Sequence, residues 1–145
     1  MLPESYEDLL HLPSQFTQLD NGESFLVSSE LLSENGVAMV FISPFGKRIL
    51  ANSTTWAMDG TFETVPDMFS QIYVVFGSGG DPGEKVYPAA FLLLPDKLSK
   101  TYDHALQVLA DVTNHKPTAI GIDFEAGAVK SIRNIFPEAG IHGFV

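Results

Sequence analysis

"TTWAMDGTFETVPDMFSQIYVVFG" (Thr54–Gly77) is the stretch on which the reading of the fold turns. A Trp and a Met lead into one acid, Asp59, then a glycine and an aromatic. The run "TTWAMDGTF" reads as a strand. "MFSQIYVVFGS" (Met68–Ser78), rich in β-branched and aromatic residues, reads as a second. An apolar strand with a single acid inside it has two explanations. Asp59–Gly60 is a turn signal at a strand end, or Asp59 is a carboxylate set on a strand to hold a metal ion.

Outward from this stretch the pattern extends in both directions. "GGDPGEK" combines Gly, Asp and Pro as a turn. "VYPAAFLLLP" (Val86–Pro95) is a further strand, so it and the run before it form an antiparallel hairpin. The period then changes. "SKTYDHALQVLADVTNH" puts Tyr102, Ala105, Leu106, Leu109 and Val112 on one stripe, as a helix would, with Ser99 or Thr101 as its cap. "TAIGID" (Thr118–Asp123) is a short apolar strand that stops at an acid. "EAGAVKSIRNIF" is a second helix with Ala128, Val129, Ile132, Ile135 and Phe136 inward, ended by Pro137. "AGIHGFV" begins one more strand. Upstream, "VAMVFIS" (Val37–Ser43) is a continuous apolar run and reads as a buried strand. "FGKRILANS" after Pro44 suits a short helix ending near Asn52. Residues 1–36, broken by Pro3, Pro13, Asn21–Gly22 and Asn35–Gly36, read as an irregular N-terminal arm with a short strand at Ser24–Val27. Residues 37–145 form the domain proper. Three antiparallel strands followed by helix, strand, helix, strand describe an α/β mixed sheet flanked by helices.

The composition bounds the function. The 145 residues suit a single domain, and 45% hydrophobic content is ample for a core. "MLPESYEDLLHLP" has neither a basic nor an apolar leader segment, so no secretory signal is expected. The absence of cysteine excludes disulfides and thiol catalysis. A net charge of −10, with eight scattered Lys and Arg, argues against stand-alone nucleic-acid binding.

Asp59 and Asp123 occupy equivalent places, one in or just after the first strand of the main sheet and one at the end of the fourth. If those strands are neighbours, both carboxylates converge at one sheet edge, where ligand sites of open α/β sheets lie. Paired carboxylates suit hard cations such as Mg²⁺ or Mn²⁺. The plain alternative makes Asp59–Gly60 a turn and Asp123 a cap for a helix beginning at Phe124. Trp56 and Phe62 read as core, His104 and His115 as solvent-facing helix residues, and His142 as a lone histidine beside a strand.

The combined spacing resembles the MULE transposase domain of Mutator-like elements. That pattern is roughly W-x-x-D-G-T-F-x-x-x-P-x-x-F-x-Q-[LVI]-Y, met here by Trp56, Asp59, Gly60, Thr61, Phe62, Pro66, Phe69, Gln71 and Tyr73. "YPAAFLLLPDKLSKTYDHALQVL" and "GIDFEAGAVKSIRNIFPEAGIHG" resemble the next two blocks, and the arm resembles what precedes the domain in animal members. The resemblance implies an RNase H-like fold and DDE-type chemistry, with Asp59 and Asp123 as the first two catalytic, metal-binding acids. It also implies Mg²⁺ or Mn²⁺, DNA as substrate and a nuclear location. Gly60 would let the backbone turn close to the metal site. The family's third acid, a Glu on a later helix, has no counterpart among these residues, and Phe144 stands where the family has a Cys. Glu125, which starts the helix, and Glu63 are poor substitutes for it. The chain is therefore expected to be a C-terminally incomplete core, inactive alone. It would be a degraded element copy or a catalytically dead binding or scaffold module, with an uncovered sheet face open to self-association.

Overall fold

Burial in the strand Gln71–Gly77 alternates strictly. Gln71, Tyr73, Val75 and Gly77 are buried, while Ile72, Val74 and Phe76 are half-buried. That two-residue period sets one face of the strand against helices and leaves the other more open. The computed structural model describes residues 25–31, 36–61, 69, 71–79, 86–122 and 126–143. In chain order the elements are β1 (Leu26–Leu31), β2 (Val37–Ile42), α1 (Pro44–Ala51), β3 (Thr55–Thr61), β4 (Gln71–Gly77), β5 (Tyr87–Leu94), α2 (Ser99–Thr113), β6 (Ala119–Ile122), α3 (Ala126–Ile135) and β7 (Gly140–Gly143).

The seven strands form one mixed sheet in the order β1-β2-β5-β4-β3-β6-β7. β3, β4 and β5 are an antiparallel meander. β2 pairs antiparallel with β5, and β1 with β2. β6 runs parallel to β3, and β7 parallel to β6. Each of these parallel partners is reached through a helix, as a parallel pairing requires. The strand expected at Ser24–Val27 is β1, which begins at Leu26 and extends to Leu31, so this part of the arm is built into the sheet.

One core cluster unites Val40, Trp56, Met58, Tyr73, Leu92, Ile120 and Ile122 from the strands with Leu50, Leu106, Leu109, Ala128 and Ile132 from the three helices. All three described helices thus pack on the same face of the sheet. On the opposite face Val37, Met39 and Phe69 form a smaller cluster with Leu26, Phe41 and Leu93. β2 contributes to both, which explains its unbroken apolar run.

The helix ends follow from local chemistry. Ser43 caps α1, its Oγ accepting from the Gly46 N–H at 2.9 Å, with Pro44 in the first turn. α2 is not capped by Ser99 or Thr101, because its N-cap is Leu98, which has no side chain to offer. Asp96 supplies the acceptor instead. Its Oδ1 takes the Leu98 N–H at 3.0 Å and the Thr101 hydroxyl at 2.6 Å. α2 ends at Asn114 in the left-handed conformation, with φ 50° and ψ 43°.

Candidate metal centre

Asp59 lies inside β3, opposite Val74, and the strand continues through Gly60 and Thr61. The turn explanation for Asp59–Gly60 is therefore overturned. Gly60 does not bend the chain towards a metal site either. It pairs with Tyr73, and a Cβ on it would come 3.0 Å from Cζ of the Tyr73 ring. The glycine is there to admit the ring.

Trp56 and Met58 are fully buried on the helix side of β3, so alternation turns Asp59 to the other side, where it is exposed. No described residue pairs with its carboxylate. A buried carboxylate without a partner would be costly, but an exposed one remains hydrated and available to a cation.

β6 is the parallel neighbour of β3, and Met58 stands opposite Ile122. Asp59 follows Met58 in the sequence and Asp123 follows Ile122. Asp123 lies outside the described residues, as do Phe62, Glu63 and Glu125. Among the described residues no group of three or more His, Asp or Glu could hold a metal ion. A site of one or two carboxylates completed by water is the usual way of holding Mg²⁺, and Asp59 fits that donor set.

Two histidines are placed differently from their sequence reading. His104 is half-buried on α2, with Nε2 3.4 Å from the Ser28 hydroxyl. His115 lies beyond the end of α2, its Nε2 2.8 Å from the Ser53 carbonyl and its ring 6.3 Å from that of Trp56. Both are tied to distant parts of the chain. His142 is exposed on β7.

Sequence reasoning missed a buried polar network at the sheet end where β3 and β6 finish. Gln71 is fully buried, and its Nε2 donates to the Tyr102 hydroxyl and, at 3.4 Å, to the Asp96 carbonyl. Gln71 Oε1 and Asp96 Oδ2 are buried acceptors with no hydrogen-bond partner among the described residues. The signal was available, since an inward-facing Gln on an alternating strand demands a partner.

A mixed seven-stranded sheet with an exposed acid on a central strand beside a parallel neighbour defines an α/β domain. The family model of the MULE transposase domain matches residues 55–143, and the chain belongs to that family. A comparison with curated proteins finds no match. No described helix is long and apolar enough to cross a membrane.

Proposed function

We propose that this is a transposase-derived domain with an RNase H-like core, in which Asp59 and Asp123 together hold a divalent cation. The observation that carries it is the parallel β3–β6 register. Met58 and Ile122 are directly paired, and each immediately precedes one of the two acids. Two carboxylates leaving adjacent parallel strands at the same level can share an ion. When bound, Mg²⁺ or Mn²⁺ activates a water or hydroxyl and stabilises the leaving oxygen of a phosphodiester. Asp59 contributes an exposed carboxylate, with no partner among the described residues, from a central strand. The buried Trp56 and Met58 hold that strand to the core.

The order β5-β4-β3-β6-β7, an antiparallel meander extended by two parallel strands, supports the RNase H-like assignment. DNA is the substrate this family membership points to. The charge of −10 means that bound cations must offset phosphate repulsion.

Calorimetric titration of the purified chain with Mn²⁺ tests this. Saturable binding with Kd of about 1 mM or tighter is expected, lost in both Asp59→Asn and Asp123→Asn. Binding indifferent to both substitutions would overturn it.

A second function, as a binding module that self-associates, is favoured by the sheet face opposite the helices, where Val74, Phe76 and Phe91 are only half-buried. Sedimentation gives a dimer in that case and a monomer otherwise.

A further inference from the structure

Two glycines flank the proposed centre, and a tyrosine ring occupies the space beside each. Gly60 follows Asp59, and Tyr73 Cζ stands 3.0 Å from where its Cβ would be. Gly127 lies in the first turn of α3. A Cβ there would overlap the Lys97 carbonyl oxygen and come 3.0 Å from the Tyr102 ring. The two rings meet each other edge to face, with centroids 5.6 Å apart and planes at 82°. Both tyrosines are fully buried. Gln71 holds the Tyr102 hydroxyl, and Asp96 fixes the first turn of α2, from which Tyr102 projects.

The consequence is a continuous packed path from β3 to α3: Gly60, Tyr73, Tyr102, Gly127. Glycine at both ends removes the side chains that would hold strand and helix apart from the rings. Interiors pack closely enough that a displaced ring displaces what it touches. Edge-to-face rings also prefer a defined geometry, so the path resists sliding. α3 begins just after the segment that carries Asp123, and β3 carries Asp59. The placement of the start of α3 against the end of β3 therefore depends on this aromatic pair as well as on the β3–β6 ladder.

We propose that Tyr73 and Tyr102 act as positioning residues: a buried aromatic wedge, anchored by Gln71, that fixes the end of β3 against the start of α3. This rests on the two-acid centre for its functional meaning but not for its physical content. Residues that orient metal ligands without touching the ion typically change affinity by about 10–100-fold when removed.

The test compares Tyr102→Leu, Tyr102→Phe and a core control, Val75→Ala, by amide hydrogen exchange and by Mn²⁺ titration. Tyr102→Leu is expected to accelerate exchange at Gly60 and at Ala126–Ala128 together, and to lower Mn²⁺ affinity about tenfold. Tyr102→Phe keeps the ring but loses the Gln71 anchor, so it is expected to fall between the parent and Tyr102→Leu in both readouts. Val75→Ala lowers the melting temperature without either change. Faster exchange confined to α2, or an affinity loss in Val75→Ala equal to that in Tyr102→Leu, would overturn the wedge. Should Tyr102→Leu not fold, Gly60→Ala, which presses a methyl onto the Tyr73 ring, must produce the same paired change at Ala126–Ala128. If the unaltered chain takes up no Mn²⁺, the two-acid centre fails. The exchange comparison then decides the wedge by itself.

Discussion

The two ends of the sheet are built on different terms. Where β3 begins, polar groups answer one another. Trp56 Nε1 donates to the Leu50 carbonyl at 3.1 Å, and the Ser53 hydroxyl donates to the Ile49 carbonyl at 2.5 Å. The Gly79 N–H donates to that same hydroxyl at 2.8 Å, and His115 reaches the Ser53 carbonyl. Where β3 finishes, Asp59 is exposed and two buried acceptors, Gln71 Oε1 and Asp96 Oδ2, have no partner among the described residues. Closed networks stabilise, and open acceptors cost stability. The contrast separates an end whose described polar groups are paired from an end that carries an exposed acid and two open acceptors.

Substitutions at the two ends should therefore fail in different ways. The largest effect is expected from Trp56→Ala, which empties a fully buried indole site packed edge to face on Phe136 at 5.5 Å. A loss of about 3–5 kcal/mol in chemical denaturation is expected, and a loss below 1 kcal/mol would mean this end is not the stabilising one. Ser53→Ala comes next. It leaves the Gly79 N–H without its acceptor, and a cost of about 1–3 kcal/mol is expected. The smallest effect on stability is expected from Asp59→Asn, within about 0.5 kcal/mol of the parent by thermal melting. A large destabilisation there would make Asp59 structural and would erase the contrast.

Much of the architecture was legible because period encodes it. The apolar stripe of α2, the alternation of β4 and the unbroken run of β2 each reflect how many faces an element buries. Asp59 was legible as a candidate, but its setting was not. Asp–Gly is so common in turns that local sequence misdescribes a glycine kept small for a ring across the strand pair. His115, Gln71 and Asp96 escaped for a related reason. Their partners lie 62, 31 and 5 positions away, and only the folded sheet brings the distant ones together. The one helix face was equally hidden, because an alternating strand does not say which side a helix will cover.

The central claim is that the ends of β3 and β6 share one cation. Mn²⁺-induced broadening of amide resonances tests it most directly. Substoichiometric Mn²⁺ is expected to broaden Met58–Gly60 and Gly121–Ile122 together, leaving Gly79 and His115 at the closed end sharp. Broadening that spares β6, or that centres on the exposed Asp111 of α2, would contradict it.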